Sequence, residues 1–305
     1  MNWVLALIAA LAIGPFIREA FRRPISATRR DAAPGQMATL SQGKTYLRWR
    51  GPEDGPVAVC VHGLTTPSLV WDRLVDGMVE MGFRVLVYDL YGRGLSDRPR
   101  GAQDSDFFVR QLEDVLEAEN IAPGFTLLGY SMGGAIAPAY AARHPETLRQ
   151  LVLIAPGGLG HDLGPATRLM TNLGLFGAWL MQTVYARSFR RDCEAEVRTH
   201  GSVPALAAAQ IAQLKDRGFI PAVLSSLRGI LDEPLGDVHR AIADTPLPVL
   251  AIWGESDEII PLVGRDLLTA YNPDTVQVTI EGAGHTLPYT DDPAVIAALH
   301  AHLIR

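Results

Sequence analysis

An α/β chain is predicted, with a mostly parallel, doubly wound sheet that carries its functional residues at the carboxyl ends of the strands. Continuous apolar runs of strand length recur at residues 57–61, 83–90, 125–128, 151–154 and 247–253. A run without polar alternation is the pattern of a strand covered on both faces. Helical stretches alternate with these runs, as at residues 69–81 and 106–119. The third run ends in a tight turn bounded by glycines, Gly129-Tyr130-Ser131-Met132-Gly133, and then opens a helix.

Taken in order, the chain begins unlike the rest. Residues 1–17 carry no charged side chain, and Arg18, Arg22, Arg23, Arg29 and Arg30 follow closely. That length sits at the lower limit for a bilayer span, and Gly14-Pro15 weakens its far end. A secretory signal carries its basic residues before the apolar stretch, whereas here they come after it. The reading is therefore a retained membrane anchor with the remaining chain on the cytoplasmic side. Export after signal-peptide cleavage is the alternative, with Ala10-Leu11-Ala12 as the site. Residues 23–36, with Pro24, Pro34 and Gly35, read as a linker, so residues 1–35 form an anchor-and-linker segment.

Residues 36–40 and 45–50 read as a hairpin around Ser41-Gln42-Gly43, and Pro52 to Pro56 turn the chain into the first buried strand. The helix after Ser131 stops at Arg143-His144-Pro145. An alternating strand at residues 276–280 precedes the last helix, at about residues 293–303. One stretch, residues 157–245, breaks the alternation and shows helical segments and turn residues only. It divides the core into residues 36–156 and 246–305. The first part of that insertion, from Leu169 to Tyr185, is apolar nearly all round, and residues 187–198 are dense in charge and read as a solvated helix face.

Composition is that of an ordinary globular chain, with 48% hydrophobic and 20% charged residues among 305. A net charge of −6 offers no electrostatic footprint for nucleic acid. The two cysteines, Cys60 in an apolar strand and Cys193 in a charged helix, form neither a disulfide framework nor a zinc pattern. No dinucleotide fingerprint follows a strand, and no cofactor is expected.

The glycine-bounded turn carries the chemistry. A serine on a sharp strand-to-helix turn is held in a strained conformation that lifts its Oγ above the sheet. The same turn aims the N–H of Met132 and the helix N-terminus at an oxyanion forming beside Ser131. A serine hydroxyl needs a histidine base, and that base needs a carboxylate to fix its tautomer. Asp257 follows the strand at residues 249–253, and His285 follows the strand at residues 276–280. Nucleophile, acid and base thus fall in chain order on successive strand ends. The competing carboxylates are Asp232, Glu233 and Asp237, while His300 and His302 fall on the terminal helix facing solvent. His62-Gly63-Leu64-Thr65-Thr66, after the first buried strand, supplies a second oxyanion donor, the Leu64 N–H.

These motifs, together with Tyr88-Asp89-Leu90-Tyr91-Gly92-Arg93-Gly94-Leu95-Ser96-Asp97, make the chain resemble the α/β-hydrolase superfamily from residue 36 onward. The resemblance is to its serine carboxylesterase, monoacylglycerol-lipase and C–C hydrolase branch. It implies an eight-stranded sheet with residues 157–245 as a helical cap over the site. Dehalogenases and epoxide hydrolases of the superfamily carry Asp where this chain has Ser131. Arg93 reads as a solvated or loop-bracing residue in preference to one that meets a substrate carboxylate. Leu173, Phe176 and Trp179 are the cap residues expected to line an apolar acyl pocket. The expected activity is cleavage of small-molecule carboxylic esters with hydrophobic acyl chains. C–C hydrolysis of a vinylogous diketone and a silent ligand-binding role are the alternatives.

Overall fold

A computed structural model describes residues 2–160, 164–200 and 203–304, so Met1 and Arg305 at the chain ends lie outside it. The N-terminal segment is helical over α1 (Asn2–Ala20) and α2 (Ala27–Asp31). The hairpin β1 (Gln36–Leu40) and β2 (Gly43–Arg50) leads to β3 (Val57–Val61), α3 (Asp72–Glu80), β4 (Arg84–Tyr88) and α4 (Ser105–Ala118). Then come β5 (Phe125–Tyr130), α5 (Gly133–Ala141) and β6 (Leu148–Ile154). The insertion holds α6 (Gly164–Asn172), α7 (Gly174–His200), α8 (Pro204–Gln213), α9 (Phe219–Arg228) and α10 (Gly236–Ala243), with no strand among its described residues. The chain closes with β7 (Val249–Gly254), α11 (Val263–Tyr271), β8 (Val276–Ile280), the short α12 (Leu287–Thr290) and α13 (Asp292–His302).

The strands form one eight-stranded sheet in the order β1-β2-β4-β3-β5-β6-β7-β8. β1 and β2 pair antiparallel, as do β2 and β4, and every other neighbour is parallel. Because successive side chains point to opposite faces, each central strand feeds two cores. Val59 and Val61 of β3, Leu127 of β5, and Ala251 and Trp253 of β7 pack with α4, α5 and α9 on one face. Ala58 and Cys60, Leu128 and Tyr130, and Leu250 and Ile252 pack with α3 and α13 on the other. The edge strands β1 and β8 mix partly buried with exposed residues and hold no fully buried one. The strand order reverses direction between β3 and β5, and an open α/β sheet leaves a crevice at that point, beyond the carboxyl ends of the strands.

Two expectations need correction. Residues 23–36 are not a free linker. Arg29 pairs with Asp216 at 2.5 Å and Arg30 with Asp97 at 2.5 Å, so α2 is tied to the insertion and to the core. Residues 187–198 are not wholly solvated either. Tyr185, Phe189, Cys193 and Glu196 recur at helical spacing on the inner face of α7, and Cys193 is buried. Charge density misled the reading because arginines at 187, 190, 191 and 198 fill the other face of the same helix.

Candidate active site

β5 delivers Ser131 into the crevice. Ser131 has φ +54°, a conformation that side-chain-bearing residues seldom adopt and that costs about 1–3 kcal/mol. Three backbone bonds hold it there. Its N–H donates to the Ile154 carbonyl at 3.1 Å, and its carbonyl accepts from Gly134 and Gly157 at 2.8 Å each. The turn closes only with glycine at two positions. A Cβ on Gly129 would sit 2.3 Å from the Gly133 carbonyl oxygen, and one on Gly133 would sit 2.0 Å from that of Val61.

Above the turn, His285 Nε2 lies 3.0 Å from Ser131 Oγ, and His285 Nδ1 lies 2.8 Å from Asp257 Oδ2. The other Asp257 oxygen accepts the N–H groups of Ile259 and Ile260, both at 2.8 Å. The Asp257 side chain is fully buried, so these donors and the histidine are its environment. A carboxylate with both oxygens occupied cannot rotate away, which leaves Nδ1 as the protonated nitrogen and Nε2 free to accept. The acid loop and the base loop are joined directly, Ser256 N–H to the Ala283 carbonyl at 2.8 Å. The rival carboxylates are engaged elsewhere. Glu233 accepts the Ser105 N–H and Asp237 pairs with Arg240, while Asp232 is exposed. His300 and His302 face solvent as expected.

The loop after β3 approaches from the other side, where a Cβ on Gly63 would meet Ser131 Cβ at 3.2 Å. Among the described residues neither the Leu64 N–H nor the Met132 N–H donates to another group. His62 is fully buried, bonded through Nδ1 to the Gly63 carbonyl and through Nε2 to the Leu90 N–H, both at 2.8 Å. Nε2 must therefore accept and Nδ1 donate, which makes this a neutral bracing histidine, its pKa pushed down to about 4 by burial. Arg93 is also fully buried. It donates to the carbonyls of Leu64 at 2.8 Å and Tyr91 at 3.0 Å, to Gln103 Oε1 at 2.6 Å and to Ser226 Oγ at 2.8 Å. The bracing half of its expected role is met, and the solvated half is not. Asp89 completes the frame by accepting the N–H groups of Ser68 and Leu95.

Two residues next to the base went unread in the sequence. Tyr130 donates to the His285 carbonyl at 2.9 Å, with its ring 5.4 Å from the imidazole. Tyr289 donates to Glu196 of α7 at 2.9 Å. Burial raises both phenols, so each stays a donor at neutral pH. Tyr130 sits inside the serine turn and could have been found there. The Tyr289–Glu196 pair spans 93 residues and carries no local signal.

The expected pocket residues stand elsewhere. Trp179 Nε1 donates to the Leu11 carbonyl of α1, Phe176 stacks on Trp179 and is 58% exposed, and Leu173 is 42% exposed. Their contacts are with the N-terminal helix and solvent. Apolarity all round the first half of α7 goes with one side set against α1 and another open to solvent.

A serine, a histidine and a carboxylate bonded in series on the strand ends of a mostly parallel sheet belong to the hydrolases built on this fold. Residues 56–292 match the family model described as alpha/beta hydrolase fold, and the chain belongs to that family. It is 28% identical to the pimeloyl-[acyl-carrier protein] methyl ester esterase of Yersinia enterocolitica, over 79% of this chain and 90% of that one. It is 32% identical to the 2-hydroxymuconate semialdehyde hydrolase of a Pseudomonas species, over 66% of this chain and 70% of that one. The solved thermophilic esterase of Thermogutta terrifontis superposes with a TM-score of 0.70 at 22% identity, covering 88% and 97% of the two chains. That last likeness is one of fold.

Proposed function

We propose that the chain is a serine hydrolase of carboxylic esters. The observation that carries the reading is the unbroken series Ser131 Oγ, His285 Nε2, His285 Nδ1, Asp257 Oδ2, at 3.0 and 2.8 Å. His285 takes the Ser131 proton as Oγ adds to the ester carbonyl, and Asp257 holds the tautomer and stabilises the imidazolium. The Leu64 and Met132 N–H groups receive the oxyanion. His285 then protonates the departing alcohol, leaving an acyl-enzyme that water opens by the same route. Cleavage of a C–C bond uses the same groups and is the second reading, supported by the Pseudomonas relative. Ester cleavage is preferred because Arg93, the cation next to the oxyanion loop, is fully buried and commits four of its five N–H donors to Leu64, Tyr91, Gln103 and Ser226, as a bracing residue does.

α1 fits a membrane anchor. Its residues Trp3–Ala20 have a mean hydropathy of 1.7, and 6% of them are buried. The arginines behind it favour a catalytic body on the cytoplasmic side. Retention is favoured over cleavage at residues 10–12 because the Leu11 carbonyl accepts the Trp179 Nε1–H of the insertion, a contact that cleavage there would disrupt. A substrate with a hydrophobic acyl chain, drawn from lipid, suits that position.

A fluorophosphonate probe tests the nucleophile. The full chain should be labelled on Ser131, and Ser131→Ala should lose labelling and at least about 10³-fold in kcat on p-nitrophenyl butyrate. Labelling that persists in the alanine variant refutes the assignment. Faster turnover of a dienoate than of any simple ester would transfer the reading to C–C cleavage.

A further inference from the structure

We propose that α1 and the first half of α7 form one lipid-facing surface, so that the insertion over the site is itself seated in the bilayer. The proposal rests on reading α1 as an anchor and adds the element that the anchor carries with it.

The contact between the two helices answers a defect in α1. Pro15 has no N–H, so the carbonyl of Leu11, four residues earlier, loses its intrahelical donor. Trp179 Nε1 supplies that donor from α7 at 2.9 Å. In hydrocarbon no water could do so, and an orphaned carbonyl there is costly. A second, polar clamp fixes the far end of α1. Glu19 accepts the Gly218 N–H at 2.6 Å, Arg22 donates to the Leu214 carbonyl, and the Arg217 N–H donates to the Arg23 carbonyl at 2.8 Å.

Two fixed points set the direction. Leu11 lies beside Trp179, and Glu19 reaches Gly218, the neighbour of Phe219, whose ring packs on Phe189 at 6.2 Å. Both chain numbers rise together, so α1 and α7 run the same way and their N-terminal ends share one pole. That pole presents apolar side chains to solvent, and the Arg228 guanidinium at the start of α7 is bonded to the carbonyls of Met170, Thr171 and Gly174. Ile8 is 57% exposed and Leu11 60% on α1, and Leu175 84% and Phe176 58% on α7.

Charge is layered to match. Residues 1–17 and 174–186 hold no charged side chain. The first charges behind the Leu11–Trp179 contact are Arg18, seven residues on, and Arg187, eight residues on. A groove of about 960 Å³ is lined by Phe16 together with Arg98, Arg100 and Arg217, and the acidic Glu19 and Asp97 on its wall are paired with Arg22 and Arg30. An apolar pole bordered by arginines is complementary to acyl chains beneath anionic headgroups. A second copy meeting it face to face would bring two basic collars together, so the bilayer is the occupant favoured.

The test uses the full chain with vesicles of phosphatidylcholine and phosphatidylglycerol. Both native cysteines are buried, so an environment-sensitive fluorophore can be placed on Leu175→Cys. On vesicle binding its emission should shift to the blue and be quenched by brominated acyl chains. Leu169→Glu, at a position 48% exposed on the adjoining α6, together with Leu175→Glu should lower the vesicle partition coefficient more than ten-fold while turnover of a water-soluble ester stays within two-fold. Trp179→Phe keeps the ring and loses the donor, and it should reduce quenching at position 175 with flotation retained. A chain that floats while the probe at 175 keeps its aqueous emission, or a double-glutamate variant that floats like the parent, overturns the proposal and leaves α1 as the anchor. A chain that does not float refutes the anchor reading as well. A blue shift that grows with protein concentration in the absence of vesicles assigns the face to a second copy instead.

Discussion

Asp257 places two oxygens against three groups with no freedom left: the His285 ring on one side and the Ile259 and Ile260 N–H groups on the other. Replacing it with asparagine keeps the size and puts an amide N–H where an acceptor is needed. The imidazole must then flip its tautomer, and Nε2 no longer accepts from Ser131. Asp257→Asn is expected to lower kcat by about 10⁴ with little change in KM, as tautomer loss does in other serine triads. Glu233→Gln and Asp237→Asn should keep parental kcat, because their carboxylates serve Ser105 and Arg240. Steady-state kinetics on one soluble ester decides between them. A parental kcat in Asp257→Asn would leave the acid unassigned.

Among the elements, α7 does two jobs that its sequence blends together. Its first half meets α1 through Trp179, and its second half turns Tyr185, Phe189, Cys193 and Glu196 inward. The Tyr289–Glu196 hydrogen bond pins that second half to the segment following His285. Tyr289→Phe leaves a partly buried carboxylate without its donor, a loss of about 1–3 kcal/mol. Urea unfolding should show a lower midpoint with an unchanged m value. An unchanged midpoint would mean that apolar packing alone holds α7 in place.

Over the whole molecule, two buried histidines couple the fold to pH. Burial pushes both His62 and His239 down to about 4, against about 6.5 when unfolded. The unfolded chain therefore takes up protons that the folded chain refuses as pH falls from about 6.5 toward 4. Stability is level above that window and declines within it, by at most about 1.4 kcal/mol per pH unit for each histidine. Among the described residues His239 has no hydrogen-bond partner at either ring nitrogen. His239→Leu should therefore flatten the decline by up to one histidine's share, as read from denaturant unfolding across that window. Truncation separates anchor from brace at the same scale. A chain lacking residues 1–17 should keep the parental Tm and soluble-ester turnover. Removal of residues 1–30 takes Arg29 from Asp216 and Arg30 from Asp97 and should lower Tm by several degrees. Equal Tm values for the two truncations would make the arginine contacts energetically idle.

The sheet, the serine turn, and the placing of Ser131, Asp257 and His285 on successive strand ends were legible because each rests on local rules. Apolar runs name buried strands, glycines mark where a Cβ would meet backbone at Gly129 and Gly133, and strand ends name the loops that bear Ser131, Asp257 and His285. Arg93 was half legible, since the motif announces a loop but not the Gln103 and Ser226 side chains that complete its shell. What faces what across the chain was decided only by the tertiary structure. Trp179 pairs with a carbonyl 168 residues away, Glu196 with a phenol 93 away and Arg29 with a carboxylate 187 away. An apolar helix records that its faces will be covered. Whether a substrate, another helix or lipid covers them depends on the packing of distant elements, which no local spacing encodes.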